Sequence, residues 1–164
     1  MHVLRGHSDY IRSCAYSYDG RFLASASDDG SVRIWDTTTG KAQHAFRDFN
    51  GWVYLVTFSS KGLPAASDSN TIKIWDIATG MRQKLPNDRD LYADDTDSVT
   101  DISFSDDGSK LVAVGGQIIT IWKIPSYSVI VRQEISFSIE DVKHARFSSD
   151  GTLLGTVSAD YVTI

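Results

Sequence analysis

One cysteine, Cys14, stands alone in 164 residues, so no internal disulfide can form. That favours a reducing, intracellular compartment, and the expected setting is cytoplasmic with the nucleus left open. No apolar run approaches the roughly 18 residues that carry a helix across a bilayer. Met1 to His7 lack the long apolar core of a signal peptide. No Asn-X-Ser/Thr glycosylation site occurs. There is no basic block: 16 Lys and Arg stand against 21 Asp and Glu, a formal charge of −5. Nucleic-acid binding needs clustered cations to displace counterions, so neither a nucleic acid nor a membrane is an expected partner. Nor does any window hold apolar residues at a sustained helical period.

What is present is the material of short strands and tight turns: Ser, Thr, Asp, Gly, Val, Ile and aromatics. Ser25 to Asp36 reads Ser-Ala-Ser-Asp-Asp-Gly-Ser-Val-Arg-Ile-Trp-Asp, a hairpin signal at Asp29-Gly30 between alternating runs. The pattern returns at Ser67 to Asp76, Val114 to Lys123 and Ser158 to Ile164. A second marker is an aromatic, Ser, two residues and Gly. It occurs at Tyr16–Gly20, Phe58–Gly62, Phe104–Gly108 and Phe147–Gly151, with glycines 42, 46 and 43 residues apart. Tyr10 to Tyr16, Phe22 to Ala26, Ser31 to Trp35 and Lys41 to Phe46 each read as a strand. Each repeat of about 43 residues thus holds four antiparallel strands.

These repeats resemble the WD-repeat β-propeller family, with its Gly-His…Trp-Asp signature and four strands per blade. Gly6-His7 through Trp35-Asp36 fits at both ends; Trp75-Asp76 keeps the second half, and Trp122-Lys123 has lost the aspartate. Asp48-Phe49 stands at the Gly-His position of the second unit. The expected fold is all-β: about four propeller blades in one domain, with units near 6–46, 47–85, 98–135 and 139–164. The resemblance implies a hydrogen-bonded structural chain of His7, Ser25 (or Ser27), Asp29 and Trp35. Ser69 and Gly116 stand where Asp29 does, so the later blades are expected to be less firmly tied. Gly115-Gly116 suits a two-residue hairpin.

Motifs with chemical associations have plainer readings. His7-Ser8-Asp9 holds triad residue types, but adjacent residues cannot converge on one proton path. Thr37-Thr38-Thr39-Gly40-Lys41 lacks the first glycine of a phosphate loop and any following helix. Asp88, Asp90, Asp94, Asp95 and Asp97 lie in the Pro86 to Asp97 stretch, read as an exposed acidic loop without EF-hand spacing. His2, His7, His44 and His144 lack metal-ligand spacing. No cofactor, metal or catalytic residue is therefore expected, and the chain is not read as an enzyme.

In this family, residues near the start of each unit's first strand, and the residue before the turn aspartate, lie where partners dock. The resemblance places Tyr10, Arg12, Asp28, Trp52, Tyr54 and Asp68 there, with Ser98, Thr100, Asp141 and Lys143 in the later units. Tyr, Trp and Arg are the side chains enriched in interface hot spots. The expected function is a protein–protein interaction scaffold or recognition module. The alternative is a structural fragment of a larger multidomain protein, such as a receptor-type ligand-sensing propeller. His2 to Arg5 reads as a fourth strand able to complete the last blade, whose own pattern stops at Ile164, short of its tryptophan. A fragment of a longer propeller is the favoured reading, with self-association expected of an open arc.

Overall fold

The computed structural model describes residues 2–85, 98–126, 128–134, 141–159 and 161–164. The five aspartates of Pro86 to Asp97 lie outside the described residues. The described residues form antiparallel strands and no helix. β1 (Ile11–Tyr16), β2 (Phe22–Ser27), β3 (Val32–Asp36) and β4 (Ala42–Phe46) make the first sheet. The second holds β5 (Leu55–Phe58), β6 (Pro64–Ser67), β7 (Ile72–Trp75) and β8 (Arg82–Gln83). β9 (Asp101–Phe104), β10 (Lys110–Gly115), β11 (Ile118–Lys123) and β12 (Ser128–Glu134) form the third. β13 (His144–Phe147), β14 (Leu154–Val157) and β15 (Val162–Thr163) form a three-stranded fourth. In every sheet, neighbours in sequence are neighbours in space, as short hairpin connections dictate.

The chain divides into two compact units, Met1–Asp68 with Ile72–Gln83, and Ser69–Thr71 with Lys84–Ile164. In the first unit Ala24, Ala26, Val32 and Ile34 of one sheet cluster with Val53, Val56, Ala66 and Trp75 of the next. In the second unit Val112, Val114 and Ile121 cluster with Val142 and Ala145. Alternation at period two puts these side chains on one face of each sheet, and burying that face is the main stabilising term.

The aromatic-Ser-X-X-Gly marker closes the turn after each first strand. Ser17 Oγ accepts from Phe22 N (2.9 Å) and donates to Asp19 Oδ1 (2.7 Å). Ser105 and Ser148 repeat this with Asp107 and Asp150, both at 2.6 Å. The glycine that follows has φ of 70° at Gly20 and 67° at Gly151, the left-handed region that L side chains avoid. In the second sheet Lys61 replaces the aspartate, and Ser59 Oγ accepts from Leu63 N, one residue earlier than its counterparts, at 3.0 Å.

Two expectations need correction. His2 to Arg5 is not a strand: His2 Nε2 lies 3.0 Å from Thr38 O and its ring packs on Gly40, at the β3–β4 turn. A strand is defined by a paired edge, and the local sequence does not specify that pairing. The third sheet's hairpin turns at Gly116-Gln117, because Gly115 pairs with Ile118 as the last residue of β10. Gly116 alone takes positive φ, 53°.

Candidate interaction site

The first sheet is pinned at one end by a directional chain. Trp35 Nε1 donates to Ser25 Oγ (2.8 Å), and Ser25 Oγ lies 2.7 Å from His7 Nε2. His7 Nδ1 lies 2.9 Å from Asp29 Oδ2, which also accepts from Ser8 N (3.0 Å). One assignment satisfies every group: indole to Ser25, Ser25 to the imidazole, imidazole to the carboxylate. Ser27 stands outside it, accepting from Asp29 N (3.1 Å). Gly6 precedes His7 because a Cβ there would meet Arg33 Nη1 at 2.6 Å and the Trp35 ring at 3.2 Å.

The second sheet is tied by different residues. Trp75 Nε1 donates to Asp48 Oδ2 (2.9 Å), the Lys73 ammonium donates to Asp48 O, and Lys73 sits 4.2 Å from the centre of the Phe49 ring. Asp48 thus caps this blade's tryptophan in place of the His7–Ser25–Asp29 chain of the first sheet. The signal was spacing: Asp48 lies 27 residues before Trp75, as His7 lies 28 before Trp35. Trp122 is buried, yet its Nε1 has no partner among the described residues. Trp122→Phe should therefore cost less than Trp35→Phe, by about 1–2 kcal/mol, because only the latter breaks a buried hydrogen bond. Urea unfolding of both variants, followed by circular dichroism, checks this; equal losses would deny Ser25 its role as acceptor.

Arg12 lies in a β-bulge. Ile11 pairs with Ser27 and Ser13 with Ala26, leaving Arg12 as the extra residue. A bulge re-aims the side chain it carries. Arg12 Nε and Nη2 donate to Asp28 Oδ1 and Oδ2 at 2.8 and 2.5 Å. The Asp28 carboxylate is almost wholly buried, and its hydrogen bond raises the Arg12 pKa above the ordinary value. The guanidinium carbon stands 5.8 Å from the centres of both the Tyr10 and Trp52 rings, within cation–π range. Trp52 meets Tyr54 edge to face, 6.4 Å apart at 82°.

Val53, between these two aromatics, brings them to Arg12. It is fully buried, and its N donates to Ser27 O at 3.1 Å. Tyr10 and Trp52 are exposed and Tyr54 half-buried. Four of the predicted residues, Tyr10, Arg12, Trp52 and Tyr54, thus gather over a fifth, Asp28. Asp68 is half-buried at the counterpart position after β6.

The second unit's counterparts differ. Thr100 Oγ1 donates to Val142 O at 2.6 Å and so links β9's sheet to β13's. Ser98 is exposed, and Asp141 and Lys143 form an exposed pair 3.5 Å apart. Sequence reasoning missed Asp101. Its buried Oδ2 accepts from Ala145 N (3.0 Å) and from the Arg146 guanidinium. Ser13 does the same in the first unit, accepting from Val56 N at 3.3 Å. Both stand three residues before the strand-ending aromatic, a position that binds one sheet to the next. Among the described residues no cluster suited to a metal ion occurs.

The WD40 model (WD domain, G-beta repeat) matches residues 1–36 and 89–123. A guanine nucleotide-binding protein subunit beta of Saccharomyces cerevisiae is 30% identical over 124 residues, covering 75% of this chain and 29% of that protein. The β-propeller domain of Cps50 (Swd1) from Myceliophteria thermophila superposes with a TM-score of 0.74 at 25% identity, over 96% of this chain and 51% of that one. A chain of the Mitotic Checkpoint Complex gives 0.75 at 26% identity, over 97% and 49%. The chain therefore spans under a third of the yeast relative and about half of each solved propeller.

Proposed function

Because this chain belongs to the WD-repeat β-propeller family, we propose that it is a non-catalytic protein-interaction module whose contact surface is Tyr10, Arg12, Trp52 and Tyr54 over Asp28, with Asp68 alongside. One observation carries this reading: an Arg locked bidentately by a buried carboxylate between two exposed aromatic rings. Such a group is rigid before any partner arrives, so little side-chain entropy is lost on binding. With Asp28 neutralising Arg12, affinity rests on aromatic area more than on net charge. The yeast relative is by name a subunit, and one solved neighbour belongs to a complex, which supports protein partners here. We place the module inside the cell, acting without a cofactor and presenting its four sheets as blades of one repeat domain.

The test compares capture of partners from a cell extract by the native chain and by a Trp52→Ala, Tyr54→Ala variant. Hot-spot truncations cost about 2 kcal/mol or more, so the variant should lose most of its capture while its urea midpoint stays near the native value. A collapsed midpoint would make the rings packing residues and sink this reading. A second reading, a propeller portion of a larger multidomain protein, draws support from the coverage of 29% of the yeast relative. Reading the transcript past the Ile164 codon tests it; a stop codon there would end it.

A further inference from the structure

β1 carries the contact surface at its start and the Ser17–Gly20 turn at its end, about 20 Å away at about 3.3 Å per residue. At that far end a groove of about 640 Å³ opens between the first and second sheets. Asp19, Arg21 and Phe22 line it from one sheet, and Leu63, Asp76 and Ile77 from the next. Its volume lies in the range of ligand-binding clefts. His44 Nε2, 2.7 Å from Ile77 O, holds the two walls together.

The second unit shows what fills the same place there. Lys110 N bonds the marker serine Ser105 Oγ (3.0 Å), as Phe22 N bonds Ser17 Oγ, so the two residues are counterparts. The Lys110 ammonium crosses to the next sheet, donates to Gly151 O at 2.6 Å and stands 5.8 Å from the centre of the Phe147 ring. In the first unit the corresponding glycine and aromatic are Gly62 and Phe58. Phe22 has no donor to send across, and both phenylalanines pack against the apolar core. Gly62 O accepts no hydrogen bond among the described residues. A Cβ on Gly62 would meet nothing within 4 Å, whereas one on Gly151 would stand 3.8 Å from Ser105 Cβ. A seam that the chain closes with its own cation in one unit is therefore open in the other.

Neither cation beside the groove takes that place. Arg21 lies over the Phe22 ring at 5.4 Å, and Lys61, also in the lining, is exposed and has no partner among the described residues. Asp19 Oδ1 accepts from Ser17 Oγ and Arg21 N (3.1 Å), and Asp76 Oδ1 accepts from Thr79 N (3.1 Å), so each carboxylate keeps its second oxygen for another donor. Asp36 faces Arg21 electrostatically from just outside, so three carboxylates surround the groove against two cations. We propose that this groove receives a lysine side chain of a partner protein, its ammonium donating to Gly62 O as Lys110 Nζ donates to Gly151 O, with Asp19 and Asp76 as counter-charges. The methylenes of that lysine lie along Leu63 and Ile77, because a lysine stem packs on apolar surface while its head keeps polar company. Charge-assisted hydrogen bonds to the carboxylates fix the head.

Titration of the ¹⁵N-labelled full chain with the blocked peptide acetyl-Ala-Ala-Lys-Ala-Ala-amide, at millimolar concentration, tests this by NMR. The amides of Lys61, Gly62 and Ile77 should shift, and those of Trp52 and Tyr54 should not. The same peptide with norleucine in place of lysine keeps the stem, loses the ammonium and should not bind. Asp76→Asn retains an acceptor for Thr79 N, so its melting temperature should stay native while binding weakens about two- to fivefold, the value of a solvent-accessible ion pair. Lys61→Ala removes a like charge and should tighten binding. Trp52→Ala should leave the titration unchanged, which separates this groove from the contact surface at the other end of β1. Absent shifts, a norleucine or glutamate peptide that binds as well as the lysine one, native affinity in Asp76→Asn, or weaker binding by Lys61→Ala would each overturn the proposal.

Discussion

Trp75→Ala should cost about 3–5 kcal/mol, the range for removing a large aromatic from a core. Trp75 is fully buried; it stacks on Phe46 at 4.8 Å and 10° and meets Phe49 edge-on at 6.0 Å. His44 continues the stack beyond Phe46 at 5.4 Å. Truncation removes this ladder's centre and takes from Asp48 the indole N–H that it accepts. The cavity term adds to the lost transfer term because β-sheet backbones cannot collapse far into a void. Urea unfolding followed by circular dichroism gives the value, since fluorescence would change with the tryptophan itself. A loss below about 1 kcal/mol, the ordinary cost of a point mutation, would show that the second sheet does not depend on this residue.

Asp29→Ala should be nearly as damaging, at about 3–5 kcal/mol, because it strips a buried polar chain of its acceptor. Ser31 Oγ (2.5 Å), Ser31 N (3.0 Å), Ser8 N and His7 all converge on this carboxylate. Burial pushes the Asp29 pKa up, but the hydrogen bonds from Ser31, His7 and Ser8 outweigh it and hold the group well below the carboxylate range. The sign follows. A depressed native pKa contributes stability above the unfolded value of about 3.9, and that contribution disappears as pH falls through the native value. Asp19 and Asp36 are lowered in the same direction, and Asp150 is lowered to about 2 by Ser148 and Thr152. The native chain should therefore lose stability as pH drops from about 5 towards 2, and the Asp29→Ala variant should show a shallower decline. Parallel pH profiles for the two proteins would refute the assignment.

Much of this was legible before any coordinates. Alternation, Asp-Gly turns and the recurring Ile-X-Ile-Trp run specify hairpins locally, so strands and sheet membership follow from nearby residues. The patch follows from the family resemblance, which marks the start of each unit's first strand and the residue before the turn aspartate. Other features depend on distant partners. Asp48 reaches Trp75 by spacing, with no family residue to mark it, and Asp101 acts only because Ala145 lies opposite. The bulge at Arg12 has no residue signature. His2 to Arg5 has strand-like composition but meets the β3–β4 turn, and no local rule anticipates that neighbour.

The bulge has a consequence for how this surface can be gained or lost. Ile11 and Ser13 flank one residue with no opposite number on β2. Deleting that residue would restore an even ladder, with Ser13 to Tyr16 still paired to β2. The cation would vanish from between Tyr10 and Trp52, and Asp28 would be left as a buried charge without its counter-ion. The patch is thus written in the length of the strand as much as in its letters. A one-residue deletion at Arg12 should therefore abolish the proposed surface as fully as substitution of its aromatic side chains.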